Sequence, residues 1–267
     1  MINELLFFLL STLFGIISMS FGIGVAPMFL PFLVIVMNFP FGAAIAVTLL
    51  IEIVGFSAAL LSFIRQRLVA YRLAAQTLVN TVPAAVVGVI VSTLITTSTS
   101  VIIFSSVLLI MAVLIFHPEH EVLYRFDDPS SGYVSSQFGL ARSISIFSGT
   151  TSGLLAGLTG TGVGEVNNYV FLKKYRMPGD MAAATSMFII AITALVVASS
   201  HLAHLWFTDS ALVLSLKKFF FLGASGMLAG VLVASRFRAS LPTHVRERYV
   251  ASLLFALGIV SFLTLIV

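Results

Sequence analysis

Two glycine-rich segments carry the residues best suited to binding a small anion. The first holds Gly22 and Gly24, and the second holds Gly160, Gly162 and Gly164. Glycine destabilises a helix interior by about 1 kcal/mol relative to alanine, so both segments should break the helix. A helix that restarts after a break exposes N–H groups at its positive end, which suits an anion. We therefore predict a substrate-binding site at the two breaks. The alternative is that these glycines only let helices pack closely.

Polar side chains near the breaks, or at matching positions beyond them, could add hydrogen-bond donors. Thr161 lies in the second segment and Asn167 just after it, whereas Thr48, Thr185 and Ser186 lie within apolar runs. We predict that all five contribute to the substrate-binding site. For the hydroxyl groups the alternative is a bond to a carbonyl one turn earlier, which is common in membrane helices.

Three titratable residues lie in or beside apolar runs, namely Glu52, Glu165 and His201. A charge at membrane depth is costly unless it is neutralised, paired or hydrated, so all three are candidates for proton coupling. Glu52 could instead form a protonated structural hydrogen bond, and Glu165 could cap the helix after the second break. His201 lies three residues before His204 and could belong to an interfacial aromatic belt. Two histidines without a third ligand make a weak metal site, so we predict no metal and no cofactor.

The composition places these residues in a membrane protein. Hydrophobic residues make up 59% of the chain and charged residues only 9%, whereas soluble domains carry roughly 25% charged residues. The apolar runs approach the roughly 20 residues that a helix needs to cross a bilayer. They are continuous, unlike the alternating strands of a barrel. We predict an all-α polytopic membrane protein of about eight transmembrane helices plus broken half-helices.

The apolar runs predict helical segments, of which the second and the seventh are too short to cross a bilayer as straight helices. The predicted segments are 5–21, 25–37, 42–64, 72–95, 100–116, 139–158, 163–172, 180–204, 214–235 and 249–267. The polar segment 117–138 is the predicted linker between a first repeat, residues 1–116, and a second repeat, residues 139–267.

The two repeats resemble each other in sequence. The run that starts at Gly15 and ends at Gly24 lines up with the run from Gly153 to Gly162, 138 residues later. At the same spacing Thr48 meets Ser186. The shared order of a break, a helix with small hydroxyl residues and a glycine-bearing helix predicts an internal duplication.

Loop charge predicts that the two repeats are inverted. Lys and Arg cluster in segments 65–72, 173–176 and 236–248, whereas 38–41, 96–99 and 205–213 contain none. The positive-inside rule then gives the repeats opposite orientations and places both termini outside. The net charge of +4 therefore reflects topology rather than nucleic-acid binding. Inverted repeats with broken helices are typical of secondary transporters.

Two other classes of protein are weighed against a carrier. Two half-helices that meet from opposite sides could form an anion channel. Residues 223–226 read Gly-x-Ser-Gly, as in rhomboid-type intramembrane serine proteases. Such a serine needs a histidine base within about 3 Å, yet Ser225 is predicted mid-span while His201 and His204 lie near a span end. We therefore expect no enzyme.

The second break resembles that of the sulfite exporter TauE/SafE family, also called the toluene sulfonate uptake permeases. The likeness is carried by residues 153–165 and 182–186, and more weakly by residues 22–24, 46–48 and 67–72. The family usually has three consecutive glycines at the break. Here Val25 and Ala26 replace two of them in the first half, and Val163 replaces one in the second.

The resemblance implies a secondary transporter that moves sulfite, sulfoacetate or another organosulfonate across the inner membrane of bacteria. It also implies that Gly160, Gly162, Gly164, Thr185 and Ser186 belong to the binding site. The expected partners are therefore the small anion and the lipid bilayer. Independently of the resemblance, the residues predict only a cavity near the midplane that suits an anion.

Overall fold

The computed structural model describes residues 2–21, 24–116, 138–175, 177–235 and 243–263. Within these ranges the chain is helical and contains no strand. The helices are α1 (Ile2–Phe21), α2 (Ala26–Pro31), α3 (Phe41–Arg65), α4 (Tyr71–Leu94), α5 (Thr97–Phe116), α6 (Phe138–Thr159), α7 (Val163–Tyr169), α8 (Gly179–Thr208), α9 (Ser210–Ser235) and α10 (Thr243–Leu263). The predicted linker lies outside the described residues except for Phe138, and Gly22 lies outside them too.

Among the described residues, five helices are long and apolar enough to cross a membrane: α3, α4, α5, α8 and α9. Shorter apolar segments lie in α1, in α10 and in α2 with its continuation. Continuous runs of Leu, Ile, Val and Phe make these helices apolar on every side, as expected of segments that face lipid. The chain is therefore a multi-pass helical membrane protein.

Glycines on α6 let this helix pack directly on the backbone of α4. Gly149, Gly153 and Gly157 recur every four residues and so share one face of the helix. A Cβ atom added at Gly149 would lie 2.8 Å from the Thr77 carbonyl oxygen, and the other two glycines meet α4 carbonyls even more closely. Such small-residue contacts replace the hydrophobic effect as the source of helix association in lipid.

The same kind of contact joins α1 to α9. Gly226 and Gly230 of α9 lie against the carbonyl oxygens of Phe8 and Thr12 in α1, with no room for a side chain. Elsewhere α3 packs against α8, and α5 against α10. If α1–α5 are matched in order with α6–α10, the pair α4–α6 of one half corresponds to the pair α9–α1 of the other. The pairs α3–α8 and α5–α10 then correspond to themselves.

Each half-helix continues into one π-helical turn. The turn after α2 is Phe32–Val36 and the turn after α7 is Val170–Lys174. The Met37 N–H closes the first turn on the Phe32 carbonyl at 3.2 Å, and the Tyr175 N–H closes the second on the Val170 carbonyl at 3.0 Å. Both turns lie at the same distance from their break, so the local backbone is repeated in the two halves.

Candidate functional site at the helix breaks

A small cavity of about 20 Å³ lies between the two breaks. Residues from both breaks and from three helices line it: Gly24, Ala26, Leu49, Glu52, Ala156, Gly160, Thr161, Gly162, Val163, Gly164, Glu165, Ile190, Ala194 and Val197. A volume of this size holds about one water molecule. The two breaks, which lie far apart in the sequence, therefore border one buried space.

The second break is shaped by glycine and capped by its own helix. Gly160 and Gly162 have φ angles of 71° and 108°, a left-handed conformation that glycine adopts at little cost. The Gly162 N–H donates to Glu165 Oε2 at 3.0 Å, and the Thr161 hydroxyl donates to the same oxygen at 3.4 Å. Glu165 is the third residue of α7, the position from which a glutamate reaches back to the N-cap N–H. It therefore caps α7, one of the two roles expected for it.

The first break is capped from a different helix. The Val25 N–H, at the start of α2, donates to Glu52 Oε1 of α3 at 3.1 Å. Neither Pro27 nor Met28 can accept a hydrogen bond from this N–H through a side-chain oxygen. In the first half, the carboxyl group that caps the break therefore comes from another helix, α3. In the second half, α7 carries the capping carboxyl group itself.

The two carboxyl groups meet at Gly24. A Cβ atom added to Gly24 would lie 2.9 Å from Glu52 Oε1 and 3.3 Å from Glu165 Oε1. We call this space, beside the Gly24 Cα and between the two oxygens, the Gly24 cradle. Glu165 Oε1 is buried and has no hydrogen-bond partner among the described residues. The cradle is therefore bordered by an acceptor that has no close donor within the described part of the chain.

The charge balance of the cavity is unusual for a membrane interior. Glu52 is 3% and Glu165 is 5% exposed, and the described residues that line the cavity include no Lys, Arg or His. Two ionised carboxylates without a countercharge would be strongly unfavourable at this depth. The site therefore needs a proton or another positive charge.

Thr48 and Ser186 are buried hydroxyl residues without a hydrogen-bond partner among the described residues. They lie one helical turn before Glu52 and Ile190, which both line the cavity. An unpaired buried hydroxyl costs about 1–3 kcal/mol, and helical serine and threonine usually avoid this by bonding to their own helix. Both side chains are consequently candidates to bind a group that enters between α3 and α8.

Three further predicted residues of the described part, Asn167, Thr185 and His201, have other surroundings and are not among the residues that line the cavity. The Thr185 hydroxyl accepts a hydrogen bond from the Ala70 N–H at 3.0 Å, which fastens α8 to the start of α4. The Asn167 amide donates to the Ser152 hydroxyl at 3.5 Å, and its Oδ1 has no partner within the described part of the chain. His201 Nε2 lies 3.2 Å from the Gly157 carbonyl oxygen.

The apolar wall of the cavity was not predicted. Ile190, Ala194 and Val197 contribute it from α8, and Ala156 and Leu49 complete it. None of these residue types has chemistry that marks a site. The repeat spacing could have pointed to Ile190, because this residue lies 138 positions after Glu52.

Several membrane-crossing helices, together with two broken helices that meet at a buried cavity, define a multi-pass membrane protein with the architecture of a transporter. The profile of one family, described as sulfite exporter TauE/SafE, matches residues 7–261. The chain belongs to this family. No curated protein and no solved structure matches it.

Proposed function

We propose that this chain is a secondary transporter that moves a small sulfur-containing anion across the inner membrane of bacteria by alternating access. Sulfite, sulfoacetate and other organosulfonates are the proposed substrates. The observation that carries the proposal is that two helix breaks, one in each half, border a single buried cavity. Membership of the sulfite exporter family supports the choice of a sulfur anion.

Inverted repeats, residues 1–116 and 139–267, would supply the two moving halves. The symmetric pairing of α4 with α6 and of α1 with α9 supports such a duplication. So do the prolines that precede α3 and α8: Pro40 has φ −54° and ψ 140°, and Pro178 has φ −51° and ψ 137°. In this proposal the basic loops face the cytoplasm and both termini lie outside, as the positive-inside rule predicts.

The cavity represents a closed state of the proposed transport cycle. It has room for about one water molecule, whereas a sulfonate group has a sulfur atom and three oxygens. The side chain of Ile190 closes on Gly164, whose added Cβ would lie 3.0 Å from the Ile190 methyl carbon. The anion would enter when α8 moves away from the second break, and the hydroxyls of Thr48 and Ser186 would become its donors.

Thermal stability of the purified protein in detergent tests this function. The unfolding temperature would be measured with sulfite, sulfoacetate, ethanesulfonate, sulfate, benzoate and chloride. We expect an upward shift with one or more of the sulfur anions other than sulfate, since a ligand that binds only the folded state stabilises it. Uptake of the same anion into proteoliposomes would then establish transport, and single-channel currents would instead indicate a channel.

Variants locate the binding site within the same experiment. Ser186→Ala should lose the shift produced by the anion. Ser225→Ala is the matched control, because Ser225 is exposed and its hydroxyl donates to the Leu222 carbonyl of its own helix at 3.0 Å. The absence of a shift with every sulfur anion would contradict the proposed substrate class.

A further inference from the structure

The N–H groups that an anion would use at the breaks are already occupied by the chain's own carboxyl groups. The Val25 N–H donates to Glu52 and the Gly162 N–H donates to Glu165. We propose that the two glutamates are internal substitutes for the transported anion, and that a proton taken up at the Gly24 cradle releases these donors when the anion binds. This role rests on the proposed function and adds to it a coupling ion and its site.

The Gly24 cradle has the geometry of a proton-binding site. Glu52 Oε1 and Glu165 Oε1 both lie within 3.3 Å of one point beside the Gly24 Cα, and both glutamates line the adjoining cavity, where a water molecule could carry the proton between them. The cavity holds about one such molecule. Glu165 Oε1 is buried and has no close donor among the described residues, so a proton shared with Glu52 or with a water molecule would satisfy it. Only glycine at position 24 leaves the space open.

Charge explains why the anion and the proton should enter together. Since the cavity without an anion already needs a positive charge, it holds at most one uncompensated carboxylate, and an anion added to it would place two negative charges in one apolar cavity, where like charges repel strongly. Protonation of one carboxyl group removes a charge and also turns an acceptor into an O–H donor. The protonated glutamate can then release its N–H partner and donate a hydrogen bond to the anion.

Among the described residues, the elements around the cavity offer no other group for this role. The lining residues of α8 are Ile190, Ala194 and Val197, α6 contributes Ala156, and α3 contributes Leu49 besides Glu52. Apart from Glu52, none of these side chains can take up a proton. His201 is buried on α8, but its ring faces the Gly157 carbonyl and Gly42. Within the described residues, the proton of the cavity therefore belongs to Glu52 and Glu165.

Calorimetric titration of the detergent-purified protein tests the proposal. Ethanesulfonate is the probe, because its charge is constant near neutral pH, and buffers of different ionisation enthalpy report proton uptake. We expect the unchanged protein to take up about one proton per anion and to bind up to about tenfold more tightly for each unit that the pH falls. The factor by which protonation tightens anion binding must equal the factor by which the bound anion raises the affinity for the proton.

Three variants identify the groups that take up the proton. In Glu165→Gln and in Glu52→Gln the proton uptake and the pH dependence should be lost or halved, while binding at neutral pH is retained or strengthened. Gly24→Ala fills the cradle without changing either glutamate and should also reduce proton uptake. Gly179→Ala is the matched control, since an added Cβ meets nothing within 4 Å there, and it should behave like the unchanged protein. If one variant fails to fold, the other two test the same site.

The outcomes separate this inference from the proposed function. Binding of ethanesulfonate without proton uptake, or with proton uptake that all three variants retain, would overturn the inference and leave the transporter standing. Binding that depends on sodium concentration instead of pH would overturn it as well. If neither ethanesulfonate nor sulfite binds the unchanged protein, the proposed function fails and the inference fails with it.

Discussion

The two helix breaks reach a similar geometry by different means. At the second break, left-handed glycines turn the chain and Glu165 caps its own helix α7. At the first break, the cap on Val25 comes from Glu52 of α3. A local cap moves with its helix, whereas a cap from another helix is lost when the two helices separate. The first break is therefore the one whose cap responds to a movement of α3 relative to α2.

The largest expected effect would test whether the second break depends on glycine. Gly162→Ala forces a residue with a Cβ atom into φ 108° and brings that atom to 2.9 Å from the Leu155 Cβ. Backbone strain of this kind costs about 1–3 kcal/mol before the contact is added. We expect a marked fall in the unfolding temperature, measured in detergent. Gly179→Ala should leave the temperature unchanged, and equal stability of the two variants would contradict the prediction.

Removing the caps one at a time would compare the two breaks directly. Glu52→Ala and Glu165→Ala each leave a buried N–H unpaired, which we expect to cost about 1–3 kcal/mol. The two carboxyl groups share the Gly24 cradle, so the double variant should depart from additivity by about 0.5 kcal/mol or more. The test is to measure the free energy of unfolding of the unchanged protein, the two single variants and the double variant. Strict additivity would mean that the glutamates do not interact.

A local cap introduced into the first half would sharpen the same comparison. Met28 is the third residue of α2, as Glu165 is of α7. In a Glu52→Ile protein, the further change Met28→Glu should recover about 1 kcal/mol, because the new carboxylate can accept from the Val25 N–H. Met28→Leu in the same background is the control. Equal stability of both double variants would show that the break cannot be capped locally.

The smallest effects concern neighbouring residues of α8. Thr185→Val copies Val47 of the first half and removes the acceptor of the Ala70 N–H, which we expect to cost about 1 kcal/mol. Ser186→Ala removes a hydroxyl that has no partner among the described residues, so stability should change by no more than about 0.5 kcal/mol. Thermal unfolding with and without the anion would separate the two. A larger loss of stability in Ser186→Ala than in Thr185→Val would contradict the contacts of both residues.

Most helix boundaries could be predicted because they depend on local composition. The predicted segment 139–158 corresponds to Phe138–Thr159, and 42–64 corresponds to Phe41–Arg65. The predicted start of α10 was less accurate, because this helix begins at Thr243 and not near residue 249. Hydropathy does not detect the start of a helix whose first turns carry charged residues. The π-helical turns were not predicted either. An apolar run looks the same whether its carbonyls bond to the fourth or the fifth residue.

The sequence by itself determined the membrane class and the two breaks, and it offered the cap at Glu165 as one of two roles, because each depends on residues that are close together along the chain. The tertiary structure decided which distant groups meet. Glu52 reaches Val25 across 27 residues, and Thr185 bonds to Ala70 across 115. Thr185 and Ser186 looked alike in sequence, yet only Ser186 is left without a partner within the described residues. Such differences depend on the rotation and depth of each packed helix, which composition does not specify.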